Sequence, residues 1–241
     1  QRFFQLFNRL IILYPHLHRC SAVGGGRVMS RVLVIESSAR QRGSVSRLLT
    51  AEFISHWKIA HPADRFQVRD LAREPLPHLD ELLLGAWTTP CDGHSAAERR
   101  ALERSNRLTE ELRMADVLVL AAPMYNFAIP SSLKSWFDHV LRAGLTFRYA
   151  EQGPEGLLQG KRAFVLTARG GIYAGGGLDH QEPYLRQVLG FVGIHDVTFI
   201  HAEGMNMGPE FREKGLARAR ERMRQALETD TSLCVPLPTL R

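Results

Sequence analysis

Short apolar runs alternate with stretches of helical periodicity along the chain. The runs carry almost no charge and have the length of strands that are buried in a sheet. They predict strands at residues 32–35, 66–71, 117–122, 163–167 and 197–200. Helix signals predict helices at residues 45–57, 96–114, 133–141, 184–192 and 210–229. This alternation predicts an α/β fold, a doubly wound five-stranded parallel sheet in a single domain.

The two ends of the chain differ from this pattern. Residues 1–28 are aromatic, Leu-rich and basic, and they hold no Asp or Glu. Met29 directly precedes the first predicted strand, so we expect residues 1–28 to be a non-native or upstream extension. Residues 29–229 then form the domain, and residues 230–241 are expected to be a flexible tail.

Residues 72–95 interrupt the alternation inside the domain. Pro75, Pro77 and Pro90 break any regular pattern there. We therefore predict a long excursion over the surface, with a short apolar turn at residues 82–84.

Three of the predicted strands are followed by unusual loops, at residues 38–46, 123–127 and 168–177. Because the carboxyl ends of parallel strands meet at one edge of a sheet, a single crevice can draw on all three loops. The sequence therefore predicts a ligand site at that edge.

The first of these loops is suited to a phosphate group. It places serine hydroxyls and Gly43 at a helix N-terminus, where free N–H groups and the helix dipole favour an anion. It lacks the motifs of a P-loop nucleotidase and of the usual dinucleotide fold, which favours a phosphomonoester. Ser44 taken alone is more commonly a helix cap, and that explanation stays open.

The second and third loops are suited to a flat ring. Residues 123–127 read Pro-Met-Tyr-Asn-Phe, and two aromatic side chains of this kind can enclose a conjugated ring and present N–H groups to its edge. Aromatic side chains that plug the top of the core are the alternative explanation. Gly170, Gly171 and residues 175–177 would let the backbone approach a ring closely.

Composition narrows the class of protein. With 241 residues, 44% hydrophobic and 23% charged, the chain can bury the core of one globular domain. The net charge of +6 is weak support for a nucleic-acid partner, since four of the arginines lie in residues 1–28. No apolar stretch has the length of a membrane span, so we expect a soluble protein without a membrane partner. Cys20, Cys91 and Cys234 are widely spaced, which favours a reduced cytoplasmic protein without a structural metal.

A phosphate site, a loop for a flat ring and close backbone donors together describe a flavin mononucleotide (FMN) site in a flavodoxin-like fold. Further motifs are residues 32–35, Ser44-x-Ser46, residues 143–149, residues 153–156, Arg169-Gly170-Gly171 and residues 189–194. With these motifs, residues 29–229 closely resemble the bacterial family of FMN-dependent NADH azoreductases and NAD(P)H quinone reductases. The resemblance implies a homodimer with active sites at its interface, noncovalent FMN in each subunit, and NADH or NADPH as electron donor.

The resemblance also implies the reaction. It is a two-electron reduction of quinone, azo or nitro acceptors in a ping-pong cycle, with reductive cleavage of azo bonds. Because the flavin carries the chemistry, we expect no catalytic side chain. Tyr173 and His180 are expected to be surface residues without a role, although either could protonate an acceptor. His139 is expected to be interfacial or solvated.

Carried over by motif, the resemblance assigns twelve residues to the cofactor. The phosphate would be held by Ser38, Ser44, Val45 and Ser46, the isoalloxazine would be flanked by Met124, Tyr125, Asn126 and Phe127, and the pyrimidine side would meet Ala168, Arg169, Gly170 and Gly171. Family members often have Gln at position 45 and Ser at position 168. Any side-chain hydrogen bond at those two positions is therefore lost here, and main-chain contacts remain.

Other interpretations stay open. A non-enzymatic electron carrier of the flavodoxin type would share the fold and FMN, but it would usually show an acidic docking surface. A signalling or anion-binding module would need aspartates clustered at the strand ends, whereas Glu36 alone ends the first strand and Asp116 precedes its strand. A general FMN-dependent nitro or flavin reductase is a variant of the enzymatic interpretation.

Overall fold

The computed structural model describes residues 29–232. Seven strands lie in this part of the chain: β1 (Arg31–Glu36), β2 (Arg65–Asp70), β3 (Val117–Pro123), β4 (Phe147–Ala150), β5 (Gly153–Gly156), β6 (Arg162–Ala168) and β7 (Asp196–Ala202). Five of them form a parallel sheet in the order β2-β1-β3-β6-β7, and β4 and β5 form an antiparallel hairpin. The predicted five-stranded parallel sheet is confirmed.

Six α-helices accompany these strands in the described residues. They are α1 (Val45–Ala60), α2 (Glu81–Thr88), α3 (Ala96–Met114), α4 (Ser131–Val140), α5 (Gln181–Phe191) and α6 (Pro209–Ser232). None of the helices in residues 29–232 combines the length and the apolar character that crossing a membrane requires.

The central strand β3 explains why the sheet is covered on both faces. All seven of its residues are buried. Successive side chains of a strand point to opposite faces. Val117 and Val119 accordingly pack in one core with residues of α1 and α6, and Leu118 and Leu120 pack in the other with residues of α3, α4 and α5. Burial on both sides explains why the sequence of this strand is apolar and uncharged.

The surface excursion contains a helix where the sequence pattern predicts only a short apolar turn. Helix α2 begins after Asp80, whose carboxylate accepts a hydrogen bond from the Leu83 N–H at 2.9 Å. Leu83 and Ala86 are buried, and α2 packs against α3. Capping and burial therefore stabilise a helix of only eight residues.

The ends of α5 and α6 also differ from the prediction. Helix α5 begins at Gln181 rather than at residue 184, because the Asp179 carboxylate accepts from the N–H groups of Gln181 and Glu182 at 3.1 and 3.0 Å. Helix α6 continues to Ser232, beyond the predicted start of the tail. The predicted extension and the rest of the predicted tail lie outside the described residues.

Candidate functional site

A crevice of about 240 Å³ opens at the carboxyl edge of the parallel sheet. All three of the loops singled out in the sequence contribute to it. Eight of the twelve predicted cofactor residues line it, namely Ser38, Ser44, Val45, Met124, Tyr125, Ala168, Arg169 and Gly170. In the part of the chain that the structure describes, no group of three or more His, Cys, Asp or Glu side chains is placed to hold a metal ion.

Serine hydroxyls converge where α1 begins. The Ser44 hydroxyl donates to the Ser38 hydroxyl at 2.9 Å and lies 3.1 Å from that of Ser46. The phenol of Tyr125 lies 3.4 Å from the Ser38 hydroxyl, so the second loop reaches the first. Ser44 also caps α1 by accepting from the Arg47 N–H. Ser44 is therefore a helix cap, as its residue type suggested. This role is compatible with an anion site, since the serine hydroxyls lie at the N-terminus of α1.

The second loop turns sharply in a conformation that is rare for its residues. Tyr125 and Ala128 exchange two main-chain hydrogen bonds of 3.0 and 3.1 Å, and Asn126 and Phe127 between them have φ values of +48° and +68°. This geometry is that of a type I′ turn, which Asn tolerates and which strains Phe. Such strain is often kept at binding sites.

The aromatic side chains of this turn face solvent. Tyr125 is 36% exposed and Phe127 is 44% exposed, so the explanation that they plug the core is wrong. The N–H groups of Asn126 and Phe127 have no hydrogen-bond partner among the described residues. The turn therefore offers two exposed rings and two free donors beside the crevice.

The side chain of Arg169, in the third loop, is buried inside the protein. Its guanidinium is fully buried and pairs with Asp179 at 2.8 Å and with Glu203 at 3.3 Å. A third bond of 3.2 Å runs to the amide oxygen of Gln181. Because the guanidinium is bonded to these partners, it holds the third loop in place rather than reaching into the crevice.

A fourth loop, residues 203–208 after β7, completes the crevice and was missed in the sequence. The carbonyls of Gly170 and Gly171 accept from the N–H groups of Asn206 and Gly204, each at 2.9 Å. A Cβ atom at residue 170 would lie 2.8 Å from the side-chain amide nitrogen of Asn206, so a larger residue there would require that side chain to move. The N–H groups of Gly170 and Gly171 themselves have no partner among the described residues.

This fourth loop could have been found from its position, because it follows the fifth strand at the same edge of the sheet. It carries no polar cluster that would draw attention. Further lining residues, outside the predicted set of twelve, are Arg40, Gly43, Pro123, Met205, Asn206 and Arg212. Two of them are arginines, so the crevice has more positive charge than the predicted residues supply.

Three other residues that the sequence singled out lie apart from the hydroxyl cluster. The Tyr173 ring meets the Phe127 ring edge-on with centroids 5.9 Å apart, which places it beside the turn. His180 is exposed, directly before α5. His139 is 1% exposed and bonds to the Pro77 carbonyl at 3.1 Å, and burial lowers its pKa. The expectation that His139 is solvated or interfacial is wrong, because α4 packs it inward.

Known proteins resemble both this sequence and this structure. A family model described as flavodoxin-like fold matches residues 30–227. A protein of Azotobacter vinelandii named FMN-dependent NADH:quinone oxidoreductase is 74% identical over 197 residues, which are 82% of this chain and 99% of that protein. The chain belongs to this flavodoxin-like oxidoreductase family.

Solved structures of this family agree with that assignment. The azoreductase from Bacillus anthracis str. Sterne has a TM-score of 0.76 at 29% identity, covering 82% of this chain and 99% of its own. An FMN-dependent NADH-azoreductase from Bacillus anthracis str. Ames Ancestor, in complex with FMN, has a TM-score of 0.74 at 27% identity with the same coverage. The family resemblance stated from the motifs is confirmed. Membership of an enzyme family favours catalysis over the carrier and signalling interpretations.

A buried carboxyl group lies beneath the first loop of this flavodoxin-like sheet. Glu36 ends β1 and is 7% exposed, and burial raises its pKa to about 7 despite the nearby charge of Arg47. The closest guanidinium nitrogen of Arg47 lies 3.9 Å away. Asp70 adds a second negative charge, which also raises the pKa of Glu36.

Proposed function

We propose that this chain is an FMN-dependent oxidoreductase that uses NADH, or NADPH, to reduce quinones by two electrons. The observation that carries the proposal is the crevice itself, in which a hydroxyl cluster at a helix N-terminus and an exposed aromatic turn are linked by Tyr125. One ligand with a phosphate and a flat ring can use both. The names of the related proteins, an FMN-dependent NADH:quinone oxidoreductase and an FMN-dependent NADH-azoreductase, support the same reaction.

The residues present fit FMN. We assign its phosphate to Ser38, Ser44 and Ser46 and to the N-terminus of α1, where Val45 offers its main chain. Arg40 and Arg212 add positive charge at the same crevice. The isoalloxazine is assigned to Met124, Tyr125, Asn126 and Phe127, with Ala168, Arg169, Gly170 and Gly171 on its pyrimidine side. When bound, FMN supplies the two-electron chemistry, and the protein contributes binding and electrostatics.

Main-chain N–H groups have a role of their own in the proposed chemistry. The free N–H groups of Asn126, Gly170 and Gly171 would stabilise negative charge at the edge of the ring. Tyr125 and Phe127 would exclude water from one side of the site. Since these groups need no proton exchange, the proposal includes no catalytic side chain.

The crevice also bears on the order of events. The crevice is assigned to FMN, so a nicotinamide and an acceptor would both have to meet the exposed side of the same ring, one after the other. We therefore propose a ping-pong cycle, with quinones as the acceptors and with azo and nitro compounds as further acceptors. Reductive cleavage of an azo bond to two amines takes four electrons, so it would require two successive turns of the cycle, each using one NADH.

We also propose that the active form is a homodimer with its active sites at the interface. The β4–β5 hairpin stands apart from the main sheet, and Tyr149 on it is 68% exposed. An exposed aromatic side chain of this kind is typical of interfaces. Sedimentation equilibrium of the FMN-loaded chain tests the stoichiometry, and a monomer at micromolar concentration would contradict it. The cysteine pattern leads us to expect a cytoplasmic location.

Anaerobic stopped-flow spectroscopy tests the reaction. The chain loaded with FMN is mixed with NADH, and the oxidised flavin band should bleach rapidly. A second mixing with benzoquinone should restore the band, and an azo dye should do so with formation of its amine products. Binding of FMN without bleaching by NADH would favour the carrier interpretation, and failure to bind FMN would refute the assigned site.

A further inference from the structure

Arg47, in the first turn of α1, joins three separate parts of the chain beneath the hydroxyl cluster. Its Nε donates to the Arg40 carbonyl at 2.9 Å, and its Nη2 donates to the Ser38 carbonyl at 3.0 Å. The same guanidinium donates to both carboxylate oxygens of Asp70, at 2.7 and 2.8 Å. One side chain thus ties the first loop to the end of β2.

This arrangement is more than a surface ion pair. The side chain of Arg47 is 18% exposed and that of Asp70 is 15% exposed, so water screens the pair weakly. The two-pronged contact with a carboxylate holds the plane of the guanidinium in one orientation. With that plane held, the remaining N–H groups can reach the two loop carbonyls without further loss of side-chain freedom.

The two carbonyls belong to the residues that shape the anion site. The Ser38 hydroxyl accepts from the Arg40 N–H at 3.2 Å and from the Ser44 hydroxyl at 2.9 Å. A shift of either carbonyl would therefore move the Ser38 hydroxyl away from its neighbours. The positive charge of Arg47 also lies under a helix N-terminus that already favours anions.

We propose that Arg47, held by Asp70, is the positioning residue for the phosphate group of the cofactor. It keeps the Ser38 and Arg40 carbonyls where the serine hydroxyls converge, and it needs no contact with the phosphate itself. The proposal rests on the assignment of FMN to this crevice, and it adds a residue outside the predicted set of twelve.

The test compares two flavins that differ by the phosphate. Dissociation constants of FMN and riboflavin are measured by quenching of flavin fluorescence with the full apo chain. For Arg47→Met, we expect the FMN constant to rise about 10- to 100-fold, in keeping with the loss of charged hydrogen bonds. The riboflavin constant should change by less than about twofold, because riboflavin has no phosphate to position.

Arg47→Lys separates geometry from charge. Lysine keeps the positive charge but lacks the planar fork that serves Asp70 and both carbonyls together. We expect an FMN-to-riboflavin preference between those of the wild type and Arg47→Met. Full recovery with lysine would overturn the positioning role in favour of a simple charge effect. This variant also keeps the proposal testable if Arg47→Met folds poorly.

Arg69 provides a matched control, because it lies on β2, the edge strand that also carries Asp70. It makes a two-pronged contact with Glu111 at 2.8 and 2.5 Å, and the two side chains are 12% and 11% exposed. Arg69→Met should destabilise the fold by a comparable amount while the preference for FMN over riboflavin stays unchanged. An equal loss of preference in both methionine variants would overturn the proposal.

Ser46→Ala distinguishes a failure of this inference from a failure of the assigned site. If Ser46→Ala loses the preference for FMN and Arg47→Met keeps it, the role of Arg47 is refuted and the phosphate assignment stands. If both variants keep the preference, the phosphate does not bind here and both proposals fail. A loss in both variants, with Arg69→Met unchanged, supports both.

Discussion

The buried carboxyl of Glu36 should make the stability of this protein depend on pH around neutrality. One of its oxygens has no hydrogen-bond partner within the described residues. Burial is the largest cause of its raised pKa of about 7, compared with an ordinary value of 4.5. The change Glu36→Gln keeps the shape of the side chain and removes the charge, so it isolates the cost of ionisation.

The sign follows from the two pKa values. As pH rises from 4.5 to about 7, the unfolded chain loses the proton of Glu36 before the native protein does, so ionisation favours unfolding. The cost is about 1.4 kcal/mol at about pH 5.5 and about 3.3 kcal/mol at about pH 8, where it levels off. The advantage of Glu36→Gln over the wild type should therefore be about 2 kcal/mol larger at the higher pH.

Urea unfolding of the apo chain measures this difference. The wild type and Glu36→Gln are compared at the two pH values, and the corresponding change in Tm is about 4 to 8 °C for a domain of this size. Glu103→Gln on α3 is the control, because Glu103 is exposed and its replacement removes the same charge. An advantage of Glu36→Gln that is equal at both pH values would refute the argument.

Three further outcomes are expected. Ionised Glu36 lies near Arg47 and Asp70 below the assigned phosphate site. As pH rises through about 7, the affinity of the wild type for FMN should therefore fall relative to that of Glu36→Gln, whereas the affinity for riboflavin should not. Fluorescence titration checks both affinities. Phe127→Gly should relieve the strained φ of +68° and stabilise the apo protein by up to about 1 kcal/mol in urea unfolding, while FMN dissociates faster in stopped flow. Arg169→Met leaves two carboxylates facing an apolar side chain and should cost about 3 to 5 kcal/mol in the same unfolding assay, and unchanged stability would contradict the buried network.

Sequence patterns were sufficient for the sheet because the signal there is local. A run such as Val117 to Ala122 has no charge, since both faces of β3 are buried, and that property is visible in six consecutive letters. The predicted position of the crevice follows from the same source. Once strands are known to be parallel, the loops at their carboxyl ends must share one edge. The aromatic motif at residues 123–127 then indicated the kind of ligand.

The burial of Arg169 could not be predicted in this way. The motif assigns Arg169 to the cofactor and says nothing of its guanidinium, whose partner Glu203 lies 34 residues away. The helix at residues 81–88 was missed for a related reason, because its stability depends on packing against α3 as well as on its own short sequence. Tertiary contacts decided both the burial of Arg169 and the formation of this helix.

The sequence by itself determined the chain order of the five sheet strands and of the helices other than α2, and it predicted the edge of the sheet at which the crevice lies. Those properties depend on periodicity and on chain neighbours. The tertiary structure decided the positive φ values of Asn126 and Phe127, the place of residues 203–208 in the crevice, and the contacts of Arg47. These features depend on partners that meet only after folding, because interaction energies depend on distance in space rather than along the chain. Arg47 and Asp70, for example, are 23 residues apart in the chain, and their side chains are 2.7 Å apart in the protein.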